Sequence, residues 1–319
     1  MKLTARVLAI TLCLLTCPLV IAGPLHNAAY EGDYNKVNQI LDTGVDINVR
    51  DKHGQSPLHH ATSMDHAAVA ELLIDNGADI EAKNVVGYTP LHYAAIHGHT
   101  SIAELLIKKG AEVDAGDKDG NTSLHVATLN DHAPVVKLLI KNGAEVDARN
   151  NAGITPLHEA AAGPNSPIAK LLVDKGARID TRAEDGATPL LLVAAAGDAP
   201  LAEFLIDKGA EVDAGDEDGL TPLHAAATMG HVAALKLLID KGANVEARNK
   251  DGGTPLHFAA TMGHVAAVEL LIDKGANVDA KTRNRETPLN ISVRMGHKKV
   301  ANLLRKLKAK ESQFFFDEE

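Results

Sequence analysis

The chain carries sixteen histidines among 319 residues, enough to raise two kinds of chemistry at once. Imidazole nitrogens bind metals, and a histidine near a serine or threonine can serve as base to a hydroxyl nucleophile. Spacing weighs against both. His26, His59, His92, His125, His158, His224 and His257 hold one slot of a 33-residue period, and His66, His99, His132, His231, His264 and His297 hold a second. Only His53, His60 and His97 fall outside the two series. Packed helical copies lie roughly 10 Å apart, whereas metal ligands converge to about 2.1 Å from one ion. Neither series therefore builds a metal centre, and no cofactor is expected. The serines and threonines stand where helices begin, so their histidines read as capping partners before they read as bases. Asp117, Asp119, Asp216 and Asp218 recur in turns, where a carboxylate bonds the local backbone. No G-x-S-x-G, H-E-x-x-H or phosphate-loop motif is present. The expectation is a protein that is not an enzyme; a metal- or ligand-binding enzyme is the rival from another class.

The elements that position these residues follow from one landmark. Pro24, Pro57, Pro90, Ser123, Pro156, Pro189, Pro222, Pro255 and Pro288 are each 33 residues apart, nine copies without an insertion or deletion. Thr89 can cap a helix whose first position is Pro90, where a missing N–H is harmless. Leu91, Ala94 and Ala95 then share a face, Gly98 ends the helix, and a second helix presents Ile102, Leu105 and Leu106. Gly110 supplies a left-handed cap, and "DKDG" at 117–120 has the residues of a tight turn. The stretch "TPLHYAAIHGHTSIAELLIKKGAEVDAGDKDG" resembles an ankyrin repeat in signature and period. The resemblance implies an all-α solenoid of stacked helix-turn-helix units joined by β-turn hairpin loops, over residues 23–310, its first and last copies acting as caps. Neither apolar stripe of one unit can be buried alone; stacking buries both. In such proteins both histidine slots are structural. The last copy departs from the pattern, with Arg285 at the turn glycine and Asn290 for the histidine. Residues 311–319, which include Phe314, Phe315 and Phe316, read as a disordered acidic and aromatic tail.

Composition sets the surroundings. Hydrophobic residues make up 45%, aromatics only 3%, and tryptophan is absent, so alanine and leucine must build the core. A net charge of -10 lacks the basic footprint of a nucleic-acid binder. Lys2 and Arg6 precede an apolar run from Val7 to Ala22, with Val20 and Ala22 before a cut at Gly23. That layout is a secretory signal peptide, and the run is short of the ~20 residues of a spanning helix. The alternative is an uncleaved anchor. Leu15 and Thr16 stand where a lipidated Cys17 would need small residues. Cys13 and Cys17 are the only cysteines, so a chain cut at Gly23 has no thiol and no disulfide. It is expected in the periplasm or secreted, with no membrane attachment after cleavage.

The repeated residues build the stack, which leaves the varying ones to define a surface. The resemblance implies a concave binding face formed by turn tips and the exposed edge of each first helix. On those positions Tyr88, Ile96, His97, Leu129 and Ile154, with Val85 and Val86, form one expected apolar patch. Met229, Met262 and Met295 form a second, and Met64 falls in the same slot. The turns around Glu184, Asp185, Asp216, Glu217 and Asp218 are acidic, whereas Lys281, Arg283, Arg285, Arg294, Lys298 and Lys299 make the last copy basic. The expected function is a monomeric protein-interaction scaffold whose partner is another protein. The narrower alternative is an inhibitor or immunity-like protector of one co-exported enzyme.

Overall fold

The computed structural model describes residues 23–163 and 166–314, with side chains as far as Leu307. The leader expected at 1–22, with both cysteines, and the tail from 315 onward lie outside the described residues, as does the side chain of Phe314. Two compact units divide between Lys118 and Asp119. The first contains α1 (Pro24–Glu31), α2 (Tyr34–Leu41), α3 (Pro57–Ser63), α4 (Ala67–Asp75), α5 (Pro90–His97) and α6 (Thr100–Lys108). The second opens with α7 (Ser123–Leu129), α8 (Ala133–Lys141), α9 (Pro156–Ala162), α10 (Ser166–Asp174), α11 (Pro189–Ala196) and α12 (Ala199–Asp207). It continues through α13 (Pro222–Met229), α14 (Val232–Asp240), α15 (Pro255–Met262), α16 (Val265–Asp273), α17 (Pro288–Arg294) and α18 (Lys298–Phe314). Both units are all-α repeat solenoids.

Helix α5 shows why each first helix forms. Thr89 is extended, its hydroxyl accepts from the His92 N–H at 3.4 Å, and the Thr89 N–H donates to His92 Nδ1 at 3.2 Å. Pro90 sits where the first turn leaves an N–H unbonded in any case. Gly98, at φ 74°, turns the chain out through the left-handed region. A helix of eight residues is marginal by itself, so packing must hold it. Within each unit, every odd-numbered helix packs on the next odd-numbered one and every even on the next even. Leu58, Leu91, Leu157, Leu223 and Leu256 fill the first layer; Leu73, Leu106, Leu172, Leu238 and Leu271 fill the second, all at most 1% exposed. Ala94–Ala95, Ala160–Ala161 and Ala226–Ala227 are equally buried, which lets neighbouring first helices approach closely.

Successive turns are bonded through the backbone. Val85 N–H donates to His53 O at 2.9 Å in the first unit; in the second, Glu184 donates to Ala152 O, Glu217 to Asp185 O and Arg283 to Asp251 O, at 2.8–2.9 Å. Three departures from the expected pattern have a physical reading. Arg285 adopts φ 60° where other turns have glycine, and Asp65 and Asp131 adopt φ 60° and 58° after α3 and α7. Short polar Asp tolerates this left-handed region better than Arg does. Gly163 is extended rather than left-handed, at φ -119°. Asn290 takes over the histidine's part, its Oδ1 accepting from Thr287 N–H (3.1 Å) and from the Thr287 hydroxyl (2.8 Å). Helix α18 runs to Phe314, past the boundary at 310 read from the sequence.

Candidate protein-interaction surface

The hydroxyl–imidazole pairs exist at bonding distance. Ser56–His59, Thr89–His92, Thr122–His125, Thr155–His158, Thr221–His224 and Thr254–His257 have Oγ to Nδ1 separations of 2.8–3.0 Å. Burial decides what they do. Each of these residues is at most 7% exposed, so the hydroxyl meets its own helix and no solvent-borne reactant. The other ring nitrogen is committed too. Nε2–H of His59, His125, His158, His224 and His257 donates to Tyr88 O, Ile154 O, Ala187 O, Gly253 O and Glu286 O at 2.9–3.1 Å. That bond fixes the tautomer and leaves Nδ1 as acceptor. Burial pushes the His59 and His158 imidazoles down to about 4, against the backbone bond that favours the charged ring. The second series reaches backwards: Nε2–H of His66, His99, His231, His264 and His297 donates to Tyr30 O, Ser63 O, Ala195 O, Thr228 O and Thr261 O at 2.8–3.1 Å. Among the described residues, no group of three or more His, Cys, Asp or Glu could hold a metal ion, and no helix is long and apolar enough to cross a membrane.

Three members of the first expected patch are buried within their own units. Tyr88, Ile96 and His97 belong to the first unit, Leu129 and Ile154 to the second. Tyr88, Ile96 and Ile154 are buried, at 9%, 8% and 6% exposure. Tyr88 stacks on His92 with ring centroids 5.5 Å apart and meets Tyr93 edge-on at 6.2 Å. Its ring therefore belongs to the packing beneath the turn. Leu129 is half-buried and His97 is exposed, with His97 stacked on His99 at 5.6 Å. Val85 and Val86 are the members that face solvent, at 53% and 47%.

The methionines are different. Met229 and Met262 end α13 and α15, and Met295 caps α17; these helices pack in succession, and the three methionines are 53%, 49% and 46% exposed. Beside two of them, Thr228 and Thr261 fold their hydroxyls onto His224 O and His257 O, both at 2.8 Å. Those two hydroxyls are thereby used internally, leaving the Met229 and Met262 thioethers toward solvent, while the Met295 sulfur lies 3.9 Å from the Arg294 guanidinium. Arg294 closes the row with a two-pronged bond to Glu286, at 3.0 and 3.2 Å. Met64 is similarly exposed in the first unit, at 41%. Glu184, Asp185, Glu217 and Asp218 are exposed on consecutive turns of the second unit, as are the basic residues from Lys281 to Lys299. Asp216 between them is raised by burial, partly countered by the N–H groups of Leu220 and Asp218, and raised further by the charges of Asp218 and Asp185.

Two groups escaped the sequence reading. His60 Nε2 lies 3.1 Å from Asp51 Oδ2, with both side chains only 6% exposed. Burial opposes the Asp51 charge, but N–H bonds from Gln55 and His53 and the His60 ring together hold its carboxyl below the ordinary value. Glu159, on α9, takes a slot that Val126, Leu192, Ala225, Phe258 and Ile291 fill on the other first helices of its unit. Burial alone raises its carboxyl to about 7. An outlying histidine and a single acid among apolar equivalents were the available signals.

The family described as ankyrin repeats (3 copies) matches residues 25–117, 111–183, 157–249 and 244–313. No curated protein matches the chain well enough to stand as a relative.

Proposed function

The chain belongs to the ankyrin-repeat family, and from that premise we propose that it is an exported, non-catalytic scaffold of nine repeats that binds a protein partner on its concave face. Ankyrin repeats mediate protein–protein binding. The row of half-exposed thioethers at Met229, Met262 and Met295 carries the choice of surface. Large apolar groups are costly to leave in water, and methionine repacks against partners of varied shape. Tyr88, Ile96 and Ile154 act from beneath, holding the turns in place, while His97 and Leu129 keep side-chain surface open to solvent. The acidic chain suits neither nucleic acid nor an anionic membrane surface. The leader sends the protein to the periplasm or outside the cell, where it works as a monomer.

Affinity capture from the exported fraction identifies the partner, and calorimetry then compares wild type with the Met229→Asp, Met262→Asp, Met295→Asp triple variant. The expected loss of affinity is roughly hundredfold or more, with helix content unchanged by circular dichroism. Undiminished affinity in the triple variant removes this face from consideration.

A further inference from the structure

Helix α1 is capped unlike the other first helices that carry the signature histidine. In α3, α5, α7, α9, α13 and α15 the cap is Ser or Thr, and its hydroxyl reaches the histidine Nδ1 at 2.8–3.0 Å. The cap's own N–H reaches the same atom at 3.1–3.2 Å. In α1 the cap is Gly23, which has no hydroxyl to offer. His26 is 1% exposed. Its Nε2–H donates to Gln55 O at 3.1 Å, so Nδ1 is a bare acceptor, and that Nδ1 is buried without a hydrogen-bond partner. A Cβ built on Gly23 would meet this very nitrogen, at 3.6 Å. The unmet acceptor faces the cap.

We propose that its donor is the α-amino group of Gly23, set free by removal of the leader. The proposal rests on the export reading above. As an interior residue Gly23 offers one N–H, held in the plane of the preceding peptide bond. At its φ of -68°, against -84° to -107° in the Ser and Thr caps, Nδ1 goes unsatisfied. A terminal amine instead turns freely about its bond to Cα and can aim a hydrogen at Nδ1. When protonated, its bond to the ring is charge-assisted. The helix dipole opposes a cation at this end, which favours the neutral amine, and the neutral amine still donates. Cleavage at Gly23 thus does more than release the protein from export: it supplies the polar group that the first repeat's cap lacks.

Three chains of defined terminus test this: Gly23 with a free amine, Gly23 acetylated, and a chain retaining Ala22. Hydrogen exchange of the α1 and α2 amides and the nitrogen-15 resonance of His26 Nδ1 are read in each. The free-amine chain is expected to protect α1 and α2 roughly tenfold better, the worth of about one net hydrogen bond, with Nδ1 displaced from its bare-acceptor frequency. Gly23→Thr in the chain retaining Ala22 should recover that protection by providing the hydroxyl. Equal protection and an unmoved Nδ1 resonance across the three chains overturn the proposal. Amino-terminal sequencing of the exported protein reads the leader separately: a terminus elsewhere than Gly23 overturns the link to maturation, whatever the defined chains report about the cap.

Discussion

Replacing Glu159 with Gln should stabilise the second unit at alkaline pH and do much less at acid pH. The carboxyl ionises near 4.5 when unfolded and is raised to about 7 by burial in the fold. A carboxyl raised in this way opposes folding above its unfolded value, because folding must then bury a charge or take up a proton. The opposition grows as pH rises from 4.5 and is complete above about 7. A shift of that size is worth about 3 kcal/mol at pH 8 and less than about 1 kcal/mol at pH 5; the partial exposure of Glu159 trims the larger figure to about 2–3 kcal/mol. Gln keeps the shape and removes the charge. Any penalty for burying its amide is common to both pH values, and the histidines titrate alike in both proteins. Urea unfolding followed by circular dichroism at pH 8 and pH 5 therefore isolates the carboxyl. The gain from Glu159→Gln should be about 2 kcal/mol larger at pH 8. An equal gain at both pH values, or none at pH 8, refutes the reasoning.

Two further outcomes follow from the histidine bonds. His59 and His158 ionise near 6.5 unfolded but only near 4 in the fold, so the stability they contribute is complete above 6.5 and is lost as pH falls toward 4, by about 2 kcal/mol each at pH 5; thermal melts across that window check it, and a flat profile contradicts it. Gly230 has φ 72°, and a Cβ there would lie 2.6 Å from His264 Nδ1, so Gly230→Ala should cost roughly 2–4 kcal/mol in a urea titration.

The sequence made the helices legible because their starts and stops are local. Thr89, Pro90 and Gly98 each act within a few residues, and the structure gives them the roles their chemistry suggests. The surface was harder to read. Tyr88 stands in a turn-tip slot whose side chain either faces water or lies under the turn, and the direction is set by packing against His92 and Tyr93. Spacing does not encode that choice. Ile96 and Ile154 are likewise turned inward by packing that spacing does not encode, whereas Met229, Met262 and Met295 sit at helix ends where solvent is the nearest neighbour. Glu159 was overlooked because glutamate in a short helix is ordinary; its oddity emerges only when Val126, Leu192 and Phe258 are aligned with it.

The reach of the histidine bonds has a consequence for how such a chain can grow. Signature histidines bond a carbonyl 29 residues ahead, and the second series bonds one 36 residues behind; neither passes over a neighbour. A tandem copy of one or more 33-residue blocks would thus find every acceptor already in register, while a stacked block of any other length would carry its rings out of register with the neighbouring carbonyls. The identical "ATMGHVAA" of residues 227–234 and 260–267 is what whole-block lengthening of this kind would leave, with Met229 and Met262 in the same place of consecutive copies.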